Sequence, residues 1–225
     1  TTDYGHDLGM KNGLAKLLRS LAAAAPDIPW IRIMYAYPGY VTDELIEAMA
    51  LHPQILPYLD MPLQHGHRQT LLRMKRPANL DWVHGIIEKL RVSMPGMSIR
   101  STFIVGYPGE TEEEFQTLME FVGELRFDRV GVFPFSFEPG TSSEALGDPI
   151  PQEIKDERLE RLMEQQRSIS LEKNQAFIGT TLDVLIEGTG DGLSIGRSYR
   201  DAPEIDGMVI TEGEFCEGHI IPVQI

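Results

Sequence analysis

The stretch STFIVGYPGETEEEF, Ser101 to Phe115, determines the fold that we expect for this chain. An apolar run ends in the loop Gly106–Gly109, and Thr111 and Glu114 then have the spacing of a helix capping box. A strand, a glycine turn and a helix N-terminus together favour anion binding, but Glu110 puts a carboxylate at the opening of this site. Because like charges repel, we expect a neutral adenosine or a cationic cofactor there, not a phosphate. A tight strand–helix connection without a ligand is the alternative.

The same order of strand and helix recurs on both sides of this stretch. Strand-like runs occur at Trp30–Tyr37, Tyr58–Leu63, Ile99–Gly106 and Arg129–Phe135. Helical patterns occur at Lys11–Ala25, Thr42–Leu51, Leu80–Val92 and Glu112–Leu125. Repeated units of about 35 residues predict a parallel sheet with right-handed crossovers, either an open doubly wound sheet or a barrel. Both arrangements bind ligands at the C-terminal ends of their strands.

Those strand ends carry glycine or proline beside polar or aromatic groups. They are Tyr37–Tyr40, Gln64–His67, Gly106–Glu110 and Phe137–Thr141, and Thr1–Gly5 has the pattern of a fifth end whose strand is missing. Gln64 offers a long amide to a ligand hydroxyl or carboxylate. Arg100 and Thr102 share one face of their strand. If that face is interior, Arg100 needs an anion, which is either a ligand carboxylate or a salt-bridge partner inside the barrel.

A composition change divides the chain after Asp148-Pro149-Ile150-Pro151. We expect one domain over residues 1–150, a connecting helix over 151–177 and a small β-barrel over 178–225. The β-rich runs of the last segment are Thr181–Ile186, Met208–Thr211 and Gly218–Ile225.

Composition limits the possible functions. The 225 residues include 20 basic and 34 acidic ones, a formal net charge of −14, which disfavours RNA and favours a basic protein partner. The one cysteine, Cys216, excludes an internal disulfide and an iron–sulfur site built from these residues alone, and it is typical of a reducing cytoplasm. His65 and His67 lack further ligands at metal-site spacing, and no apolar run approaches the roughly 18 residues of a membrane span. We therefore expect a cytoplasmic protein with neither a metal on these residues nor a membrane anchor.

Three stretches resemble one family, the radical S-adenosylmethionine methylthiotransferases. They are YLDMPLQH (Tyr58–His65), RSTFIVGYPGET (Arg100–Thr111) and DRVGVF (Asp128–Phe133). The resemblance extends over nearly the whole chain. It implies an α/β fold in which a partial (β/α) barrel is followed by a small all-β barrel called TRAM. Residues 1–150 are then the C-terminal portion of the barrel.

Within the family, the string GRSYRDAPEIDG (Gly196–Gly207) is similar to the branch that modifies an aspartate of a small-subunit ribosomal protein. From Ile178 onward nine residues are acidic and two are basic, a balance that suits a basic ribosomal protein better than tRNA. The implied activity of the full-length enzyme is addition of a methylthio group to the β-carbon of that aspartate. The alternatives are a tRNA adenosine methylthiotransferase and a non-catalytic adaptor that binds ribosomal protein.

The resemblance also implies cofactors. These are S-adenosylmethionine and two [4Fe-4S] clusters whose cysteine ligands are absent from this chain, with a reductant such as flavodoxin or ferredoxin. We therefore expect this chain alone to be inactive and assign it no catalytic residue. The implied contacts to S-adenosylmethionine are the adenine-side loop Gly106, Tyr107, Pro108, Gly109 and Glu110, the ribose or carboxylate partners Gln64, Arg100 and Thr102, and Tyr4 and Phe135 at the barrel mouth.

Overall fold

The computed structural model describes residues 4–225, so Thr1, Thr2 and Asp3 of the predicted fifth strand end lie outside the described residues. Four parallel strands come first, in the spatial order β1-β2-β3-β4. They are β1 (Ile31–Ile33), β2 (Ile55–Asp60), β3 (Ser98–Val105) and β4 (Arg129–Pro134). The helices are α1 (Gly13–Ala24), α2 (Asp43–Leu51), α3 (Arg68–Arg73), α4 (Leu80–Ser93), α5 (Glu112–Leu125) and α6 (Gln152–Gln175), with a 3-10 turn at Glu144–Leu146.

The helices cover one face of this parallel sheet. On β3, Ile99, Phe103 and Val105 are buried in a single core together with side chains of α5 such as Phe115. Arg100, Thr102 and Ile104 of β3 are only half-buried, and together with the buried Ser98 they lie on the opposite face, called here the inner face. Arg100 and Thr102 therefore share this inner face, as their common parity on the strand predicted.

The predicted start of α5 is confirmed. Thr111 Oγ1 accepts a hydrogen bond from Glu114 N at 3.2 Å, and Glu114 Oε2 accepts one from Thr111 N at 3.2 Å. This reciprocal pair is a capping box, which satisfies two backbone donors at the helix start. The loop Gly106–Gly109 is thereby held between a strand end and a fixed helix N-terminus.

The second half consists of α6 and an antiparallel sheet, called here the C-terminal sheet. Its strands are β5 (Thr181–Gly190), β6 (Leu193–Ser198), β7 (Val209–Glu212) and β8 (Ile220–Gln224), in the order β7-β6-β5-β8. Helix α6 passes alongside β4. Its Lys155 Nζ donates to Phe135 O just beyond the end of β4 at 3.0 Å, and its Asn174 accepts from Arg129 at the start of β4 at 3.4 Å.

Several strands differ from the sequence prediction, and β1 covers only Ile31–Ile33 instead of Trp30–Tyr37. Strand β2 covers Ile55–Asp60 instead of Tyr58–Leu63, and Pro57 lies inside it, where the pairing with β1 is irregular. Strand β6 was not predicted because Gly196 interrupts its apolar pattern. That glycine is required by packing, since a Cβ atom there would lie 2.2 Å from Leu185 O of the neighbouring strand.

Helix α3 was also not predicted.

Among residues 4–225, no helix is both long enough and apolar enough to cross a membrane.

We expect Gly196→Ala to lower the free energy of unfolding by roughly 1–3 kcal/mol, because the added methyl group would push β5 and β6 apart. Gly190→Ala is the matched control, since a Cβ atom there meets nothing within 4 Å. Its effect should stay within about 1 kcal/mol. Urea unfolding of both variants tests this, and equal effects would contradict the packing explanation.

Candidate cofactor-binding site

The C-terminal edge of the parallel sheet brings several predicted residues together along β3. Gln64 N donates to Thr102 O at 2.8 Å, and Gln64 O accepts from Ile104 N at 2.8 Å. On the other side, Phe135 N donates to Val105 O at 2.8 Å. Gln64 and Phe135 therefore flank the strand that enters the loop Gly106–Glu110.

Gln64 has the properties of a ligand-binding residue. Its φ of 75° lies in the left-handed region, which is unfavourable for a residue with a side chain and is often found at functional sites. Its side chain is half-buried, and its amide makes no hydrogen bond within residues 4–225. The amide is thus free to bond a ligand at this edge.

Glu110 does not lie at the opening of the loop, and that expectation is wrong. Its side chain is fully buried, and one oxygen, Oε2, accepts from Gly106 N at 3.0 Å and Tyr107 N at 3.4 Å. The other oxygen, Oε1, accepts from Arg158 Nη1 of α6 at 2.7 Å. The anion site of the loop is therefore occupied by the protein's own carboxylate, and Arg158 compensates its charge.

His65 completes this cluster from the end of β2. Its Nδ1 accepts from His67 N at 2.9 Å, so in the neutral ring the proton is on Nε2. That Nε2 lies 3.4 Å from Glu110 Oε2, in contact but without full hydrogen-bond geometry, and the side chain is fully buried. Sequence reasoning considered His65 only as a metal ligand, and nothing in the spacing pointed to Glu110 or Arg158 as its neighbours.

Gly106 is needed where the loop meets α6. Its φ is 72°, and a Cβ atom on it would lie 2.4 Å from Lys155 Cγ. Lys155 is buried, and its Nζ donates to Asp148 Oδ2 at 2.6 Å. Helix α6 therefore packs directly on the loop Gly106–Glu110. Gly109 is the one exposed residue of that loop.

Two of the three aromatic residues predicted to contact the cofactor, Tyr107 and Phe135, are packed inside the protein. Tyr107 and Phe135 make an edge-to-face contact with ring centroids 5.2 Å apart, and Pro108 is buried beside them. Tyr107 donates its hydroxyl to Arg73 O at 3.2 Å. Burial raises the pKa of Tyr107 and the charge of Arg73 opposes this, so the phenol stays protonated as a donor. Their contact with a cofactor stays a prediction.

The anions that Arg100 needs come from the protein itself. Arg100 Nη1 donates to Asp60 Oδ2 at 2.6 Å, and its Nε lies 3.3 Å from Asp206 Oδ1. The same Nη1 donates to Thr102 Oγ1 at 3.3 Å. Burial raises the pKa of Asp60, although the charge and hydrogen bond of Arg100 act to lower it. The observed arrangement is the internal salt bridge, one of the two alternatives expected for Arg100, and its contact with S-adenosylmethionine stays a prediction.

Tyr4 lies elsewhere in the described structure. It lines an open apolar groove of about 310 Å³ along β1, together with Leu17, Met34 and Tyr37. The structure therefore does not bring Tyr4 together with the loop at the end of β3.

The described residues fit the two implied cofactors unequally. Within residues 4–225, no three His, Cys, Asp or Glu side chains are grouped to hold a metal, and Cys216 is single and exposed. These residues do not fit an iron–sulfur cluster. For S-adenosylmethionine the fit is partial, because Gln64 and Gly109 are accessible while most other polar groups of the edge bond within the protein.

A second ion pair joins α3 to the start of α5. Arg73 donates to both Glu114 oxygens, at 3.0 and 2.5 Å. Burial acts to raise the pKa of Glu114. The pKa is nevertheless lowered, because the opposite effects of the hydrogen bond of Arg73, the backbone hydrogen bond of Thr111 and the charges of Arg73 and His67 are together larger. The fold is therefore stabilised by the ionised form of Glu114.

We expect Arg158→Met to lower the free energy of unfolding by about 3 kcal/mol or more, because it leaves the buried Glu110 carboxylate without a cation. Arg161→Met is the control, one turn away on α6, where Arg161 makes exposed pairs with Glu112 and Glu157. It should cost less than about 1 kcal/mol. Urea unfolding measures both, and similar losses would show that burial of the pair is unimportant.

The lowered pKa of Glu114 gives a pH test. A carboxyl group with a depressed folded pKa stabilises the fold above its unfolded pKa and loses this effect as the pH falls through the folded pKa. Arg73→Met should therefore cost most stability near neutral pH and progressively less as the pH falls through the lowered pKa of Glu114, because protonation of Glu114 removes the ion pair from the unsubstituted protein as well. Arg126→Met, which removes an exposed pair with Glu172, should show no such trend. A pH-independent loss for Arg73→Met in urea unfolding would contradict the assignment.

Comparisons with curated proteins cover the whole chain. A "Ribosomal protein uS12 methylthiotransferase RimO" of Chloroflexus aurantiacus is 53% identical over 100% of this chain and 50% of its own length. Proteins of the same name from Roseiflexus sp. and Microcystis aeruginosa are 50% and 52% identical, again over 100% of this chain and over 48% and 52% of their own lengths. The chain thus spans about half the length of the curated relatives that it matches.

Two family profiles match separate parts of the chain. The Radical SAM superfamily profile matches residues 4–122 and the TRAM domain profile matches residues 178–225. Among solved structures, an archaeal Methanocaldococcus infernus Elp3 with an N-terminal deletion is 18% identical, with a TM-score of 0.49 over 62% of this chain and 33% of that chain. The expected fold class, an α/β partial barrel followed by a β-rich TRAM domain, is confirmed. The chain belongs to the Radical SAM superfamily and carries a TRAM domain.

Proposed function

We propose that the protein containing this chain is a radical SAM methylthiotransferase that adds a methylthio group to the β-carbon of an aspartate in ribosomal protein uS12. The observation that carries this proposal is the 53% identity to a uS12 methylthiotransferase over the complete chain, barrel and C-terminal sheet alike. The reaction belongs to the longer protein, and this chain contributes part of the cofactor site and the C-terminal sheet.

S-adenosylmethionine is the proposed cofactor at the C-terminal edge of the parallel sheet, and it supplies radical chemistry when bound in this superfamily. Gln64 would bond a hydroxyl or carboxylate of the cofactor through its free amide. Thr102 and the loop Gly106–Glu110 would provide the surface beside it. His65 and Arg158 would hold that loop in shape through the buried carboxylate of Glu110, whose own contact with the cofactor stays a prediction. The proposed contacts of Tyr4, Arg100, Tyr107, Pro108 and Phe135 stay predictions, and Arg100 also forms the internal salt bridge.

Exposed charge on the C-terminal sheet supports a protein substrate over tRNA. Two of the nine acidic residues after Ile178, Asp201 and Asp206, face the parallel sheet and are paired with its arginines. Seven carboxylates remain exposed, against one partly exposed arginine, Arg197. They are Asp183, Glu187, Asp191, Glu204, Glu212, Glu214 and Glu217. A surface of this sign attracts a basic ribosomal protein and repels a phosphate backbone.

Further parts of the proposal concern the longer protein. They are two [4Fe-4S] clusters, a flavodoxin or ferredoxin as reductant, and a cytoplasmic location. The domain division at 150/151 and 177/178 is likewise kept as a proposal.

Deletion of the gene in its source organism tests the proposal. Mass spectrometry should find the uS12 aspartate unmodified while the methylthiolated adenosine of tRNA remains at its normal level. Complementation with the natural-length gene should restore the uS12 modification. Loss of the tRNA modification with uS12 still modified would contradict the proposal and favour a tRNA methylthiotransferase. Normal modification of both molecules would favour a non-catalytic adaptor.

A further inference from the structure

We propose that Ser198–Gly207, the connection between β6 and β7, is an internal docking segment that fixes the C-terminal sheet against the inner face of the parallel sheet. In this docking segment Asp201 and Asp206 position barrel arginines and do not contact the substrate. The docking role rests on the contacts alone, whereas its effect on substrate affinity rests on the proposed function.

Every strand of the parallel sheet contacts the docking segment. From β1, Arg32 Nη1 donates to Tyr199 O at 2.8 Å, and from β3, Ser98 Oγ donates to Arg200 O at 3.3 Å. The remaining side-chain partners are Leu56 and Tyr58 of β2, Arg100 of β3 and Arg129 of β4. Contacts of this kind across four strands hold the segment at one position along the inner face.

Asp206 is the centre of these contacts. Its Oδ2 accepts from Tyr58 Oη at 2.7 Å and from Ala202 N at 2.9 Å, and its Oδ1 lies 3.3 Å from Arg100 Nε. The side chain is 1% exposed. Burial raises the pKa of Tyr58, and the hydrogen bond to Asp206 raises it further, so the phenol keeps the proton that it donates. Asp206 therefore joins two barrel strands to its own segment.

Asp201 makes the equivalent connection to β4. Its Oδ1 accepts from Arg129 Nη2 at 2.7 Å, and its Oδ2 accepts from Ser198 Oγ at 2.8 Å. Next to it, Arg200 Nη2 lies 3.4 Å from Asp128 Oδ1, and its guanidinium is 3.9 Å from the ring centroid of Phe177. Removing the segment from the sheet would break these ion pairs and hydrogen bonds together and expose the apolar contacts of Leu56, Tyr58 and Ala202 to water.

Glu204, the third carboxylate of the docking segment, has the opposite environment. It is exposed, and no hydrogen bond or ion pair is found for it within the described residues 4–225. The motif DAPEID therefore turns two of its carboxylates inward and one outward. If the string recognised substrate directly, Glu204 would be the carboxylate able to do so, which makes it the matched control.

Hydrogen–deuterium exchange of the natural-length protein tests the docking without any assay of activity. Asp206→Asn should speed exchange in residues 198–207 and in β2 and β3 by about tenfold, the effect of losing a charge-assisted hydrogen bond. Asp201→Asn should speed exchange in 198–207 and in β4 by a similar factor. Glu204→Gln should leave all of these rates within about twofold.

The pattern distinguishes docking from general destabilisation. Unchanged exchange in both Asn variants, equal effects in Glu204→Gln, or a uniform increase throughout the protein would each overturn the proposal. If one Asn variant fails to fold, the other still decides between these outcomes. Asp206→Asn affects contacts with β2 and β3, whereas Asp201→Asn affects the contact with β4.

Kinetics with uS12 then test the consequence for substrate. Misplacing the C-terminal sheet should raise the KM for uS12 about tenfold in Asp206→Asn at nearly constant kcat, far more than in Glu204→Gln, which removes only one of the seven exposed carboxylates. A raised KM in Glu204→Gln alone would mean that the string contacts substrate and would overturn the positioning role, as would a fall in kcat at constant KM. If the unsubstituted protein does not modify uS12, the proposed function fails while the exchange result still decides the docking.

Discussion

The arrangement of the two halves depends on one physical constraint, the need of buried arginines on the inner face for carboxylate partners. Arg100 and Arg129 are at most 16% exposed, and both meet carboxylates of the docking segment. A buried cation without a partner is far more unfavourable than a paired one. Charge pairs therefore join the parallel sheet to the C-terminal sheet. They lie on the inner face, where apolar contacts cover only part of the surface.

The same principle operates at the opposite end of the strands. Glu110 is buried in the loop after β3, and its cation comes from Arg158 of α6. Helix α6 also brings Lys155 against Gly106, while its other end contacts Arg129. One helix thus connects the proposed cofactor edge to the edge where the docking segment lies. A change at either edge has a physical path to the other through α6.

Local features of the fold could be predicted from sequence, because their signals lie within a few residues. The capping box of α5 depends on Thr111 and Glu114 alone, and the alternation of strand and helix follows from short apolar runs. Strand β6 was missed because Gly196, which packing requires, removes the apolar pattern. The shared parity of Arg100 and Thr102 was visible in the sequence, and it allowed an interior face without indicating what lies against that face.

The site was less predictable because its decisive contacts join distant parts of the chain. Sequence reasoning recognised that Arg100 needs an anion but could not choose between ligand and protein, and the partner proved to include Asp206. A double-mutant cycle on the free energy of unfolding, with Arg100→Met and Asp206→Asn, tests this pairing most directly. A coupling of about 1–3 kcal/mol is expected for residues in one buried charge network. Additive effects, with a coupling near zero, would contradict the account that buried charge pairs join the two sheets.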